Sequence, residues 1–444
     1  MAALEDHPTA RALRMRTALP QANRTVDTSL LRALCLNAGA ADVGFVEIGR
    51  PMLADERPYI EAVFPETRTL ISFCCRLNRE PVRRVQRSVA NAEFHHTGDE
   101  VNDVARRIVM ALEREGIQAV NPPMAFPMEA DRWPERMWTV SHKPVAVAAG
   151  LGMMGIHRNV IHPKFGNFIL LGTILLAAEV VKASQPTSFN PCLECKLCVA
   201  ACPVGAIKPN GEFDLASCYT HNYREFMGGF GDWAEHVADA KSGKDLRTRV
   251  TPAEQVSVWQ SLAFGPNYKS GYCVAVCPAG EDVIAPFLAN RGQFVSDIVK
   301  PLQQNTETVY VVPQSDAEDY VSKKFPQKQR RQVRGTLMPR TIQGFLFGIR
   351  ITFQRGQAKG LNAIYHFTFT GSEPAQATVT IRDQTITVID GLIGIAHCTI
   401  IADASTWLGF LNKEKSIIWA IMRRRIRVKG RLRLLPAFGR CFPS

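Results

Sequence analysis

The sequence predicts a multidomain chain, α/β followed by α+β, and three observations carry that reading. Apolar segments that alternate between helical and strand periodicity fill the chain to about residue 185. Seven of the twelve cysteines then gather between residues 192 and 277. After residue 341 come four short strands with partial alternation, followed by helices. The composition, 46% hydrophobic and 21% charged over 444 residues, is that of ordinary globular protein and suits two to four domains. The divisions fall at 1–185, 186–300, a basic linker at 301–340, and 341–444.

In the first region, Ser29 to Ala38 reads as a helix that leads through Gly39 into a strand at Val43 to Ile48. Thr69 to Cys75 is a second apolar strand. Asp99 reads as the N-cap of a helix with Val101, Val104, Ala105, Ile108, Val109 and Leu112 on one face. Gly116 ends that helix, and a strand follows at Ile117 to Val120. Val145 to Ala149 and Phe168 to Leu176 complete the expected sheet. The longest apolar stretch, Phe168 to Val181, is broken by Gly172, Thr173 and Glu179 and is too short to span a bilayer. Met1 to Pro20 is polar and charged, without the apolar core of a leader. With so few cysteines for the length, this points to a reducing cytoplasm.

Between the last two strands lies Gly150-Leu-Gly152-Met-Met-Gly155, formally a dinucleotide fingerprint. His162-Pro163 breaks any long phosphate-binding helix, and no acidic residue follows at the right distance. Glycines nonetheless let a backbone approach a flat cofactor closely.

The strongest chemical signal is Cys192, Cys195, Cys198 and Cys202 followed by Pro203, answered by Cys273 and Cys277 followed by Pro278. Cys-x2-Cys-x2-Cys-x3-Cys-Pro is the spacing with which ferredoxin-type segments wrap 4Fe-4S clusters, the fourth thiolate reaching a second cube. Zinc sites come as separated pairs, often with histidine, and disulfide scaffolds are far richer in cysteine. Cys218 lies close enough in sequence to join the array. By the exchange rule, Cys192, Cys195, Cys198 and Cys277 hold one cube, and Cys202, Cys218 and Cys273 supply three thiolates to the other. Ser270 stands where a fourth cysteine is expected. It is an alkoxide ligand, or it leaves the iron to another oxygen donor or to a three-iron form, or it is a plain loop serine beside Gly271.

The cysteine array, with Ala149 to Gly155 and His157-Arg-Asn-Val-Ile-His-Pro-Lys-Phe-Gly166, resembles the epoxyqueuosine reductase and reductive dehalogenase superfamily over about residues 27 to 295. The resemblance implies a nitroreductase-like α/β domain that binds cobalamin, above a two-cluster ferredoxin-like domain fed by an electron donor such as a ferredoxin or flavodoxin. Gly150, Gly152, Gly155 and His157 are then the cofactor-binding candidates. Where such reductases carry an acidic proton donor, this chain reads Val140-Ser141-His142-Lys143-Pro144, which makes His142 either the catalytic acid or a surface histidine before a proline turn. His95 and His96, after Phe94, are further polar candidates or a solvated helical pair. Queuosine synthesis itself is not carried over.

In the third region, Ser315 to Phe325 reads as a short helix and Pro326 to Pro339 as a polar, cationic, mobile linker. Strands at Asn362 to Thr370, Ala375 to Ile381, Gln384 to Ile389 and Ile395 to Ile401 read as a meander, followed by helical segments at Ala404 to Leu411 and Lys415 to Met422. Gly360 to Gly371, Asp403 to Leu411 and Ile426 to Leu432 make this part resemble a sterol-carrier-protein domain, over about 341 to 444. That resemblance implies an apolar tunnel for a lipid or other hydrophobic molecule, with Trp407, Phe410, Ile417, Trp419, Ile421 and Leu434 as lining candidates or plain core.

The net charge of +12 is local. Lys323 to Arg340 carries seven basic and no acidic residues and Arg423 to Arg440 eight and none; without those fifteen charges the chain would stand near −3. The basic tail is the solvated face of an edge strand, or it meets an anionic membrane surface or RNA. Three functions stay open: a cobalamin-dependent iron-sulfur reductase acting on a small hydrophobic substrate, a corrinoid-free 4Fe-4S electron-transfer protein, and a lipid-binding protein with a structural or redox-sensing cluster.

Overall fold

The computed structural model describes residues 7–14, 25–133 and 136–444; of the Met1 to Pro20 stretch, residues 7–14 alone are described. Its first unit is built on a four-stranded antiparallel sheet in the order Asp42–Glu47, Thr69–Arg76, Ile169–Leu176, Ala119–Val120. Side chains alternate across it. Phe45, Ile71, Phe73, Ile174 and Leu176 meet one helical layer, formed by Thr28–Asn37 and Arg87–Arg114. Val46, Leu70 and Leu175 meet the other, which includes the helix His142–Ala148. The strand Thr69–Arg76 is buried at every position but its last because both faces are covered.

Two expectations are corrected here. Val145 to Ala149 is not a strand: it lies at the end of the His142–Ala148 helix, with Val145 and Ala148, three apart, turned to the sheet. A short apolar run carries no periodicity that separates the two readings. Asp99 is not an N-cap, because the helix begins twelve residues earlier at Arg87. Its polar stretch around His95 and His96 continues the helix, since Asn91, Thr97 and Gly98 are buried against neighbouring chain.

The cysteine region is made of short helices, Leu197–Ala201, Leu215–Asn222 and Tyr272–Ala275 among them. Their core joins Cys198, Cys202, Ile207, Tyr272 and Val276 to Val309, Val311 and Val321. Those last residues belong to what reads as linker in the sequence. The strands Thr308–Val311 and Gln329–Gln332 pair in parallel across the helix Asp316–Lys324, which Ser315 caps by accepting the Glu318 N–H. The helix expected at Ser315 to Phe325 is thus present, but Pro326 to Pro339, expected to be mobile, supplies a paired strand, and the basic linker at 301–340 includes a packed βαβ unit. Lys328, read as part of the cationic surface, is buried, its ammonium bonded to the carbonyls of Leu302 and Asn305 and to Glu307.

The last unit is a five-stranded sheet in the order Thr385–Asp390, Ala375–Arg382, Ala363–Thr370, Cys398–Asp403, Ile426–Gly430. It is not a simple meander, because Ala363–Thr370 and Cys398–Asp403 run parallel. One face is apolar: Tyr365, Phe367, Phe369, Val379, Ile381 and Ile400 pack against Phe345 and Ile349 of one helix, Trp407 of another and Phe438 of a third.

Candidate metal centre

Two cysteine sets emerge from the helices of the middle region. The loop from Cys192 to Cys198 curls tightly because Glu194 and Lys196 both take left-handed backbone angles, φ 48° and 62°. That curl puts Cys192, Cys195 and Cys198 around a small apolar cavity, about 20 Å³, which Cys277 closes from the far end of the motif, with His157 and Ile156 beside it. Burial, with the charges of Cys273, Cys195 and Cys192, pushes the Cys198 thiol up to about 12. Burial likewise raises Cys277, as do Cys195, Cys198 and Cys192, while the Ala279 N–H opposes them. Bound cations at these thiols would act against the shifts of Cys198 and Cys277. Among the described residues no three His, Cys, Asp or Glu side chains converge to hold a single metal ion. The donors surround a volume instead of a point.

The second set is Cys202, Cys218 and Cys273. Cys202 ends the helix Leu197–Ala201, and its sulfur accepts the Ala206 N–H at 3.3 Å. Burial raises the Cys218 thiol well above its ordinary value, and Cys202 and Cys273 raise it further. Burial and Cys202 push Cys273 up to about 11, against the Lys143 charge. Asn159 Nδ2 stands 3.9 Å from the Cys273 sulfur, and Lys143 bonds Asn159 Oδ1 at 2.8 Å and the Arg158 carbonyl at 2.9 Å.

Ser270 does not turn to these thiols. Its N–H and its hydroxyl both donate to Asn222 Oδ1 at 3.0 Å, and its carbonyl accepts from Arg87 at 2.9 Å. Asn222 sits one helical turn after Cys218 on the helix Leu215–Asn222, so the same helix that presents a thiol also holds the serine away. Asn159, Asn167, Lys143 and Asn222 were missed by sequence reasoning. Lone amides and a lone lysine carry no spacing signal, although Asn159 lies inside the His157 to Gly166 segment.

The candidate glycines pack against their own chain. A Cβ on Gly150 would lie 2.2 Å from the Gln185 carbonyl oxygen, one on Gly152 2.2 Å from that of Ile161, and one on Gly155 2.7 Å from the Ile161 side chain. Gly152 and Gly155 serve the hairpin of Met153–Met154 with Val160–Ile161. His157 is buried, pushed down to about 4 by burial and by Lys143, and its ring meets Asn167 at 3.3 Å and the Asn159 N–H at 3.2 Å. It lies between the two cysteine sets, since Asn159 and Asn167 also reach Cys273.

His142 is half-buried at the start of its helix and hydrogen-bonded through both ring nitrogens. Its Nε2 faces the Pro123 carbonyl at 3.1 Å and its Nδ1 the Thr173 hydroxyl at 2.9 Å, so both nitrogens are engaged. Burial lowers its pKa, which favours the neutral ring. His95 stacks on Tyr268, and burial lowers its pKa as well. Tyr268 belongs to an aromatic group with Tyr223 and Phe226, beside the Cys218 helix. The candidate tunnel residues do not share one cavity: Trp407 is core, while Trp419 and Ile421 are exposed.

Fold and site together define a class: an α/β unit over a cysteine-lined module with two sets of thiols, followed by a separate α+β unit. Comparison with known proteins is specific on both parts. Residues 352–442 match the family model of the SCP-2 sterol transfer family. An epoxyqueuosine reductase of Prochlorococcus marinus (strain NATL2A) is 42% identical over 66 residues, 15% of this chain and 20% of that protein. The epoxyqueuosine reductase of Gloeobacter violaceus is 26% identical over 207 residues, 44% of this chain and 60% of that protein. The chain thus spans less than two thirds of either relative. A solved epoxyqueuosine reductase from Streptococcus thermophilus superposes with a TM-score of 0.34 at 14% identity, over 61% of this chain and 75% of that one. Reductive dehalogenases superpose as loosely, with TM-scores of 0.37 and 0.38. Both resemblances read from the motifs are found in these comparisons.

Proposed function

We propose that this chain is an iron-sulfur reductase of the cytoplasm that passes electrons from a small protein donor to a small, apolar substrate. The observation that carries this reading is the gathering of Cys192, Cys195, Cys198 and Cys277 around one apolar cavity, beside a second set of Cys202, Cys218 and Cys273. An iron-sulfur cluster, when bound, supplies one-electron transfer at a potential set by its charge, hydrogen bonds and exposure. The thiol sets fit such groups, being buried or half-buried, close to one another, and supplied with amide N–H groups from Ala206 and Ala279. Cys202, Cys218 and Cys273 would hold the second cluster through three thiolates, since Asn222 occupies the Ser270 hydroxyl. The match of residues 352–442 to the sterol transfer family supports an apolar substrate.

Cobalamin as electron acceptor rests on the likeness to epoxyqueuosine reductases. The Cβ direction at Gly150, Gly152 and Gly155 is taken by the chain's own carbonyls and side chains, so each position needs a glycine for packing whether or not a corrin lies nearby.

The test is anaerobic purification with iron and sulfide counted, EPR of the reduced and oxidised protein, and titration with cobalamin. About seven irons per chain are expected, not eight, with Ser270→Ala leaving count and signal unchanged and Ser270→Cys adding iron. Loss of iron in Ser270→Ala would make the serine a ligand after all. Zinc in place of iron and sulfide would end the redox reading. An unchanged corrinoid spectrum would leave the corrinoid-free reading.

A further inference from the structure

We propose that the short helix Ile417–Met422 and the basic strand after it form a docking surface for an anionic lipid bilayer. The inference is independent of the redox reading. Every residue of this helix is apolar, yet Ala420 alone is buried. Ile418 is 67% exposed, Trp419 59% and Met422 67%, with Ile421 beside them. Single exposed apolar side chains are ordinary, but four within five consecutive positions form a patch that marks a binding surface.

The chain then runs through Arg423, Arg424, Arg425, Arg427, Lys429, Arg431 and Arg433, all exposed and with no acidic residue among them. Ile426–Gly430 is an edge strand of its sheet, so nothing in the sheet lies beyond it. The Arg423 guanidinium stands over the Trp419 ring, 5.6 Å from its centre, which joins the apolar and basic surfaces into one. Asp403 is an acidic neighbour, near Arg425.

The pairing of the two surfaces selects the partner. At the edge of an anionic bilayer, phosphate headgroups meet arginines while tryptophan, isoleucine and methionine enter the acyl boundary just below. An RNA would satisfy the arginines and leave Ile418 and Met422 in water. A second copy of this chain would set the same seven cations face to face. The bilayer alone uses both halves.

The test is co-sedimentation of the full chain with vesicles of phosphatidylcholine, and of phosphatidylcholine with phosphatidylglycerol. Binding to the anionic vesicles is expected to be at least about tenfold tighter, since each basic residue near such a surface adds about fivefold. Ile418→Ser with Trp419→Ser should weaken that binding about tenfold. Arg423→Ser with Arg424→Ser should remove most of the preference for anionic lipid. Equal or absent binding to both vesicles would overturn the proposal, and that comparison needs no variant to fold. Binding unchanged in the apolar variant and displaced by single-stranded RNA would also overturn it, assigning the arginines to nucleic acid phosphate.

Discussion

Asp42 decides how the segment from His157 to Gly166 is fastened to the sheet. His162 Nδ1 accepts the N–H groups of Lys164 and Phe165, which leaves Nε2 as the donor to Asp42 Oδ2 at 3.0 Å. Partial burial pushes the Asp42 carboxyl up, but the His162 ring, the Val43 N–H and the Arg32 guanidinium outweigh it and hold it below the ordinary 3.8. A depressed folded pKa means that the stabilisation is full above the unfolded value and is lost as pH falls through the folded one. Asp42→Asn is therefore expected to cost about 1–2 kcal/mol near neutrality, with the gap to wild type closing as the pH drops below 3.8. Urea unfolding of the metal-free chain at a series of pH values measures this; a gap that stayed constant into acid would refute it. Ser270 illustrates the limit of legibility at this scale. The spacing marks it as an absent ligand, but only its bonds to Asn222, forty-eight positions away, say where its hydroxyl goes.

At the scale of elements, the sequence is most readable where one periodicity runs long enough. The strands around Ile71 and Ile174 follow from apolar runs of strand length, and the helix face from Val101 to Leu112 from three-and-four spacing. Val145 to Ala149 is too short for either. The basic stretch from Lys323 misleads for another reason, which Lys328 makes plain: charge reads as solvated surface, yet a lysine can be buried when carbonyls and a carboxylate receive it. Its partner Glu307 also accepts from the Tyr272 hydroxyl at 2.6 Å, next to Cys273, so the βαβ unit braces the cysteine module. Lys328→Met should cost about 3 kcal/mol, the order expected when one side of a buried ion pair is removed. Its midpoint in urea should fall accordingly. A shift no larger than that of an exposed lysine variant such as Lys323→Met would show that the segment is a loose linker after all.

Across the whole molecule, a buried amide stands at the centre of the contact between the α+β unit and the cysteine module. Gln354 is 3% exposed; its Oε1 accepts the Asp316 N–H at 2.9 Å and its Nε2 donates to Asp214 Oδ2 at 3.3 Å. Asp214 is the N-cap of the helix that carries Cys218, so a residue of the sterol-carrier-like unit touches the support of the second thiol set. Around it, the Gly356 N–H donates to Asp316 at 2.7 Å and Arg355 pairs with Glu212 at 3.0 Å. A polar interface of this kind does not by itself force two units to unfold together, and separate transitions are the default for multidomain chains. Here Gln354 is buried and bonded on both sides, and its loss would strand the Asp316 N–H, while Asp214 Oδ2 would keep the Ser217 hydroxyl as donor. Wild type is therefore expected to show one calorimetric transition spanning both units. Gln354→Ala should split it, lowering the first step by about 2–6 °C for a loss of about 1–2 kcal/mol. Trp407 fluorescence, from the core of the α+β unit, would follow one step, and the far-UV signal both. Two transitions already present in wild type, unchanged by the substitution, would mean that the units are merely adjacent and that events in the α+β unit do not reach Cys218 through this contact.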